Sequence, residues 1–184
     1  ASLACARELA LFGYDVTIYE ANEKAGGVLT YGIVPSRLPQ EVVDFDIATI
    51  EKLGVTFKFN ETIDAARLEE LKAEYDAVFV GTGLWKSKVI DIPGKDLDGV
   101  VSAIDFLKDA RLNKENMTLG DTVLVIGGGD VAMDCVTTAK QLGAKATIVY
   151  RRTIEEAPAD IDEVMAVQSM GCLLYTSPSP RDCS

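Results

Sequence analysis

The sequence predicts an α/β fold made of two incomplete Rossmann-like units, each with a parallel sheet, truncated at both ends of the chain. Three observations lead to this prediction. The chain repeats itself at an offset of 130 residues, a glycine-rich turn follows an apolar segment within residues 122–132, and helical and strand-like segments alternate in between. Such alternation is typical of parallel sheets covered by helices.

The internal repeat pairs SLACARELALFGYDVTIYE, residues 2–20, with AMDCVTTAKQLGAKATIVY, residues 132–150. Each copy starts with a helical pattern and passes through a glycine, Gly13 or Gly143, that suits the end of a helix. Each copy then ends in a β-branched segment with strand character. The repeat therefore predicts the helix and second strand of a βαβ unit, occurring twice.

Only the second copy keeps a strand and a glycine loop ahead of its helix. TVLVI, residues 122–126, predicts a buried strand, and GGGDVA follows it. The first glycine permits a tight turn, the next lets the backbone approach a pyrophosphate, and a small residue at the end lets helix and strand pack closely. Free N–H groups at the start of the helix would then face the phosphates. We expect dinucleotide contacts from Gly127, Gly128, Gly129, Asp130, Val131 and Ala132.

The two repeated strands end in opposite charge. Glu20 closes the first strand, whereas Tyr150 closes the second and is followed by Arg151 and Arg152. A carboxylate at this point accepts hydrogen bonds from ribose hydroxyls, and an arginine pairs with a 2′-phosphate. The first unit is therefore expected to hold FAD or NAD, and the second NADPH. The alternative is that all three charged side chains are ordinary surface residues.

The segments between the two copies predict further elements of the same fold. We expect an irregular loop at Gly26, Gly27 and Gly32, and strands at residues 55–60 and 76–83, the second of them buried. Helices are predicted at residues 41–54, 68–75 and 102–112. The second strand ends in Gly81-Thr82-Gly83, a turn through which backbone can approach a nucleotide closely. The turn residues at 92–99 predict a boundary, which gives a first domain at 1–99 and a second at 100–171.

Both ends of the chain look incomplete. Ala1 already lies inside the first helical pattern, so we expect a preceding strand and glycine loop to be missing. The last residues, CLLYTSPSPRDCS (172–184), contain two Ser-Pro steps and are predicted to form neither strand nor helix. They resemble a translated sequencing adapter, and we interpret them as a non-native tail. A natural disordered tail is the alternative.

Composition excludes several classes of function. The net charge of −11 argues against nucleic-acid and anionic-membrane surfaces, and no apolar run reaches the length of a membrane span. There is no histidine, so the usual proton shuttle and most zinc sites are excluded. The four cysteines form no Cys-x-x-Cys pair, which gives no support for a dithiol centre or a bound cluster. We predict packing cysteines, no metal site and a reducing cytoplasm.

Four motifs, in order, carry a resemblance to a known family. They are AGGVLTYGIVPSRLP, VFVGTGLWKSKVIDIPGKDLDGV, VLVIGGGDVAMDC and YRRTIEEAPA. Together they resemble the small subunit of NADPH-dependent glutamate synthase and the NADPH-and-FAD portion of dihydropyrimidine dehydrogenase. The resemblance covers residues 1–171. It implies an FAD domain with an inserted NADPH domain. A hydride would pass from NADPH to FAD, and electrons would continue singly through iron-sulfur clusters in missing segments or in a larger iron-sulfur/flavin partner subunit.

The resemblance also implies roles for individual residues. Glu20 would bind the FAD ribose, and Gly127 to Ala132 with Arg151 and Arg152 would bind NADPH. The residues expected to line or approach the flavin are Gly26, Gly27, Leu29, Tyr31, Gly32, Ile33, Gly81, Thr82 and Gly83. The family's iron-sulfur segment is not in this sequence, and we expect the chain by itself to hold FAD poorly and to be inactive.

Three other functions stay open at this point. One is a dihydropyrimidine dehydrogenase-type electron-input subunit, and another is a stand-alone flavin or disulfide reductase, although the missing Cys-x-x-Cys counts against a disulfide reductase. The third is a non-catalytic sensor that binds NADPH only for regulation.

Overall fold

The chain divides into two compact units, Ala1–Trp85 and Lys86–Ser184. The computed structural model describes residues 1–87, 90–113 and 116–176. All strand pairs that it contains are parallel, which confirms the predicted α/β class. The domain boundary predicted at residues 99 and 100 stays a prediction.

The first unit holds a two-stranded parallel sheet with helices beside it. Strand β1 (Thr17–Glu20) pairs with strand β2 (Thr56–Phe59) in a register that places Thr17 opposite Thr56. In chain order the elements are α1 (Ser2–Leu11), β1 (Thr17–Glu20), α2 (Val28–Tyr31), α3 (Gln40–Lys52), β2 (Thr56–Phe59) and α4 (Ala65–Glu74).

A small apolar core holds this unit together. Ala6 of α1, Ile50 of α3 and Val55 beside β2 are buried, and Val16 and Ile18 pack against them. Because a helix turns every 3.6 residues, the apolar spacing in α1 and α3 directs one stripe of each helix inward. The core therefore fixes α1 and β1, the two elements that lead to the strand end at Glu20.

The second unit contains the complete βαβ arrangement that the glycine loop predicts. Strand β4 (Lys145–Tyr150) lies between β3 (Thr122–Ile126) and β5 (Leu173–Thr176), and both neighbours run parallel to it. The elements are α5 (Ala103–Leu112), β3 (Thr122–Ile126), α6 (Asp130–Gln141), β4 (Lys145–Tyr150), a 3₁₀ turn (Ile154–Glu156), α7 (Ile161–Ser169) and β5 (Leu173–Thr176). Val136 and Ala139 of α6 and Ile148 of β4 form the most deeply buried part of this unit.

The prediction of a buried strand at residues 76–83 is wrong. This segment has no strand structure, and its side chains are mostly exposed, Phe79 by 57% and Val80 by 64%. The reason is physical: a strand needs a neighbour for its backbone hydrogen bonds, and no described strand lies beside this segment. Its one long-range hydrogen bond in the described part of the chain runs from the Ser2 hydroxyl to the Gly81 carbonyl, at 3.1 Å.

Strand β3 forms as predicted, but it is not buried on both faces. Leu124 is 64% exposed and Ile126 is 54% exposed, while Val123 and Val125 are half-buried. Alternate residues of a strand point to opposite faces, and α6 covers only one face of this edge strand. The segment around Gly26 and Gly32 also differs from prediction, because a helical turn, α2, replaces part of the irregular loop.

The expectation that residues 172–184 form no strand is also wrong. Leu173–Thr176 forms β5, which pairs with β4 and places Tyr175 opposite Val149. The first Ser-Pro step begins only at Ser177, so the four preceding apolar and β-branched residues are free to join the sheet. Residues 177–184, including Cys183, lie outside the described residues, and the non-native origin of the tail stays a prediction.

Candidate nucleotide-binding site

The glycine loop joins β3 to α6 at the edge of a small cavity. Gly127 has a φ of +143°, a conformation that favours glycine, and its N–H donates to the Val149 carbonyl at 3.0 Å. The cavity has a volume of about 300 Å³, at the lower end of the range for small-ligand sites. It is lined by Ala103, Val125, Ile126, Gly127, Gly129, Asp130, Val131 and Ala132.

The start of α6 offers backbone donors to this cavity. Gly129 occupies the N-cap position without a side-chain cap, and its carbonyl accepts the N–H groups of Ala132 and Met133 at 2.8 and 3.2 Å. The N–H groups of Asp130 and Val131 donate to no acceptor among the described residues. Donors of this kind at a helix N-terminus suit an anionic group. The predicted loop residues other than Gly128 thus line one cavity beside the start of a helix.

Tyr150 lies at the end of β4, in the position that an acid occupies at the end of β1. Its ring covers Gly128, which is buried: a Cβ atom on Gly128 would come within 2.7 Å of the ring. The Tyr150 hydroxyl donates to the Glu156 carbonyl at 3.1 Å. Because the aromatic ring fills the space beside the loop, no carboxylate stands there to accept ribose hydroxyls.

Arg151 and Arg152 follow directly, and both are exposed. Neither guanidinium pairs with an acid in the described ranges. Thr153 and Glu156 form a capping box immediately after them, which starts the 3₁₀ turn. In a chain of net charge −11, two adjacent cations that no neighbouring acid neutralises make a local positive patch.

The side chain of Asp130 contacts the protein itself. Its Oδ1 atom accepts the N–H of Asp160 at 3.0 Å, and the neighbouring Ala159 N–H donates to the Gly128 carbonyl at 3.1 Å. The segment after the arginines therefore returns to the glycine loop. No sequence pattern indicates this contact, because Asp130 and Asp160 are 30 residues apart.

In the first unit, Glu20 closes β1 as predicted and is half-buried. Its Oε1 atom accepts the backbone N–H of Asn22 at 2.9 Å and the Asn22 side-chain amide at 2.8 Å. These bonds hold the carboxylate at the strand end and leave its Oε2 atom without a hydrogen bond among the described residues. This geometry fits the predicted contact with a ribose hydroxyl.

The two glycines at residues 26 and 27 differ in what surrounds them. A Cβ on Gly26 would lie 2.1 Å from the Thr30 hydroxyl, so this glycine is needed for packing within the protein. Gly27 has a φ of +56°, and the nearest atom to its added Cβ belongs to Trp85, 4.0 Å away. Gly27 is therefore the one of the two that leaves room for a flat ligand.

Tyr31, which is expected to line the flavin, is buried within the first unit. It is 1% exposed, and its hydroxyl accepts the N–H of Lys24 at 2.9 Å. Burial raises the pKa of the Tyr31 phenol above its ordinary value. Leu29 on the same turn is 44% exposed, and Gly32 and Ile33 are half-buried, so these three lie nearer the surface than Tyr31.

Trp85 connects the two turns that are expected to approach the flavin. A Cβ on Gly83 would lie 3.9 Å from the indole nitrogen, and a Cβ on Gly27 would lie 4.0 Å from the nearby Cζ2 atom of the same indole. Tyr31 packs against Trp85 with ring centroids 6.4 Å apart. Gly81 is needed for packing, since its Cβ would meet the Ser2 hydroxyl at 2.1 Å, whereas Thr82 and Gly83 are exposed. The sequence motifs do not single out Trp85, although it lies two residues beyond Gly83.

Within residues 1–87, 90–113 and 116–176, no three His, Cys, Asp or Glu side chains converge as metal ligands would. In the same ranges, every helix is too short or too polar to cross a bilayer.

Known proteins resemble the chain over nearly its whole length. The family model described as pyridine nucleotide-disulphide oxidoreductase matches residues 1–169. The NAD-dependent dihydropyrimidine dehydrogenase subunit PreT of Escherichia coli K12 is 43% identical over 91% of this chain and 41% of its own length. The small chain of glutamate synthase [NADPH] from Azospirillum brasilense is 36% identical over 98% of this chain and 40% of its own.

A solved structure shows the same fold. A 2-naphthoyl-CoA reductase complex superimposes with a TM-score of 0.77 at 24% identity, over 96% of this chain and 26% of that one. The chain spans less than half the length of the curated relatives that it matches. The resemblance predicted from the four motifs is confirmed, and the chain belongs to the pyridine nucleotide-disulphide oxidoreductase family.

Proposed function

We propose that the chain is the cofactor-binding part of an NADPH-dependent flavoprotein subunit. It takes a hydride from NADPH onto FAD and sends the electrons to a partner subunit. The finer architecture belongs to the same proposal: an FAD domain with an inserted NADPH domain. The observation that carries the proposal is the position of Arg151 and Arg152, unneutralised and directly after the strand that ends beside the glycine loop.

The arginine pair favours NADPH over NADH for a simple reason. The two nucleotides differ only in the 2′-phosphate, and a guanidinium offers two parallel donors and a positive charge to phosphate oxygens. A charge-assisted hydrogen bond contributes roughly 1.5–3 kcal/mol, which is about ten- to a hundredfold in affinity. Tyr150, in place of an acid, removes the group that would repel that phosphate.

The first unit fits FAD. Glu20 offers a carboxylate oxygen to a ribose hydroxyl. Gly27 and Gly83 both have a positive φ and no side chain, so their backbone is accessible to a ligand beside Trp85. The family assignment supports the pair of cofactors, FAD and NADPH. When bound, FAD supplies the redox chemistry, accepting a hydride and releasing electrons one at a time, while the protein binds and orients both cofactors.

NADH is the second candidate donor, because the Escherichia coli relative is named NAD-dependent.

The final electron acceptor follows from neither unit, and glutamate synthase-type and dihydropyrimidine dehydrogenase-type chemistry both belong to this proposal. The relatives' names, subunit and small chain, support a partner subunit, for which we propose an iron-sulfur or flavin protein. We place the protein in the cytoplasm, where its cysteines stay reduced.

The test is to add NADPH anaerobically to the flavin-loaded complete protein and record the flavin absorbance. We expect bleaching with NADPH and much slower bleaching with NADH at the same concentration. Faster bleaching with NADH than with NADPH would show that NADH is the hydride donor. Stoichiometric NADPH binding without any bleaching would contradict the proposal that the protein is an enzyme and would favour a non-catalytic sensor.

A further inference from the structure

The segment after the two arginines folds back across the glycine loop. We name residues 153–160 the strap. The strap begins with the capping box of Thr153 and Glu156 and ends at Asp160, which caps α7 by accepting the Asp162 N–H at 2.9 Å. The strap thus runs from the end of β4 to the start of α7, and both of its ends are held by local hydrogen bonds.

Gly128 is contacted from both ends of this segment. The Tyr150 ring, before the segment, covers Gly128, and Ala159, near its end, donates its N–H to the Gly128 carbonyl. Residues 151–158 therefore form a closed loop that leaves and returns to the same glycine. Arg151 and Arg152 are its first two residues.

Asp130 completes the closure. Its carboxylate lies in the first turn of α6 and accepts the Asp160 N–H at 3.0 Å, so a single side chain joins the starts of α6 and α7. Pro158 lies next to the loop as well, 3.8 Å from where a Cβ on Gly129 would be. Proline has few backbone conformations, which limits how far this part of the strap can move.

We propose that Asp130 is a positioning residue for nucleotide specificity. This rests on the proposed function, namely that the arginine pair binds the 2′-phosphate of NADPH. By holding Asp160, Asp130 fixes the strap and thereby keeps Arg151 and Arg152 beside the glycine loop. Ordering two long side chains costs entropy on binding, and a closed loop has less entropy to lose. Asp130 therefore acts through the arginines and does not contact the 2′-phosphate.

The charge of Asp130 and its hydrogen bond to Asp160, which we call the tether, have separable effects on nucleotide binding. A carboxylate at a helix N-terminus opposes the binding of any pyrophosphate, and NADPH and NADH share that group. Removing the charge alone therefore changes the affinity for both nucleotides together. Removing the tether changes only the recognition of the 2′-phosphate, which NADH lacks.

The experiment measures dissociation constants for NADPH and NADH on the complete protein and compares their ratio among variants. Asp130→Ala removes charge and tether, whereas Asp130→Asn removes the charge and keeps an oxygen acceptor. We expect Asp130→Ala to lower the preference for NADPH roughly three- to tenfold, because the tether is a single exposed hydrogen bond that acts on the 2′-phosphate only through the arginines. Asp130→Asn is expected to keep the preference. An unchanged preference in Asp130→Ala, or an equal loss in both variants, would overturn the proposal.

Two further variants test whether the loss of preference is specific to the tether. Asp162→Ala removes a carboxylate from the first turn of α7, where the side chain makes no described hydrogen bond, and is expected to leave the preference unchanged. If Asp162→Ala loses as much of the NADPH preference as Asp130→Ala does, the proposed role of the Asp130–Asp160 hydrogen bond is overturned. Tyr150→Phe keeps the ring over Gly128 and removes the bond to Glu156, so it is expected to lower the preference less than Asp130→Ala. A Tyr150→Phe loss greater than that of Asp130→Ala would also contradict the proposal.

The double variant Arg151→Ala/Arg152→Ala separates this inference from the proposed function. If the double variant keeps the NADPH preference, the proposed function itself fails. If it loses the preference while Asp130→Ala keeps it, only the positioning role of Asp130 fails.

Discussion

The ring of Tyr150 lies directly against the backbone of Gly128, so that a Cβ atom on Gly128 would stand 2.7 Å from the ring. This contact joins the end of β4 to the glycine loop and leaves no room for any side chain at that position. It explains why the middle glycine of GGG is needed even though the cavity is lined by its neighbours, Gly127 and Gly129.

Replacing Gly128 with alanine should therefore destabilise the protein. Forcing a methyl group into an occupied space costs about 1–3 kcal/mol in the free energy of unfolding, measured with urea. Gly120→Ala is the matched control, since its Cβ would meet nothing within 4 Å, and a change within about 0.5 kcal/mol is expected. Adding Tyr150→Ala to Gly128→Ala should restore part of the loss. Equal effects of Gly128→Ala and Gly120→Ala would contradict the contact.

Thr30 should contribute more to stability than its size suggests. It is buried, and its hydroxyl donates to the Ala25 carbonyl at 2.6 Å. Thr30→Val leaves that carbonyl unsatisfied and should lower the free energy of unfolding by about 1–3 kcal/mol. Thr49 makes the same kind of bond, to Phe45 at 2.9 Å, on the exposed face of α3. Thr49→Val should change stability little, and a loss as large as that of Thr30→Val would refute the importance of the buried bond.

Cys135 should be unreactive although it is a free thiol. Burial, with Asp134 adding to it, raises the pKa of the Cys135 thiol to about 12. Iodoacetamide at mildly alkaline pH should alkylate Cys5, which is half-buried, at least about tenfold faster than Cys135, as followed by mass spectrometry.

The same raised pKa predicts a dependence of stability on pH. Between pH 9 and about 12 the unfolded thiol releases a proton that the folded one retains, so the stabilising contribution is present below pH 9 and is lost as the pH rises. The loss approaches about 1.4 kcal/mol per pH unit for this group. The Cys135→Ala variant should lack this pH-dependent loss of unfolding free energy. Identical pH profiles of stability in the variant and the unmodified protein would disprove the prediction.

Trp85 should report the arrival of FAD. It is the only tryptophan in the sequence, and its indole lies next to both the turn at Gly27 and the turn at Gly83. An isoalloxazine ring bound against these turns would quench indole emission by energy transfer. Titrating the flavin-depleted complete protein with FAD should quench the part of the emission that Trp85→Phe removes, in proportion to binding, whereas ADP, which lacks the ring, should not. Full FAD binding with unchanged emission would place the flavin elsewhere.

The parts of the fold that can be predicted from the sequence are those set by local patterns. The repeat and the glycine loop predict β3, α6 and β4 because periodicity and glycine chemistry are encoded within about 30 neighbouring residues. The strand predicted at residues 76–83 does not form, because a strand also needs a neighbour, which no local pattern supplies. The strand at Leu173–Thr176 escapes prediction because the Ser-Pro steps, which begin just after it, dominate the pattern of the tail.

For the candidate site, as for the fold, the sequence predicts the local features and misses a long-range contact. The sequence indicates Glu20, Arg151 and Arg152, since strand ends carry the groups that meet the ribose. It cannot indicate that Asp130 bonds to Asp160, because that contact depends on how α7 packs beside α6. The roles of the individual residues toward FAD and NADPH stay predictions until nucleotide binding is measured.

The most direct test of NADPH recognition is the affinity of the complete protein for NADPH and NADH before and after Arg151→Ala/Arg152→Ala. Arg7→Ala, an exposed arginine of α1, serves as the control and should change neither affinity. The double variant should weaken NADPH binding about ten- to a hundredfold and alter NADH binding by less than about threefold. Equal losses for the two nucleotides, or no loss for either, would contradict the assignment of the arginine pair to the 2′-phosphate.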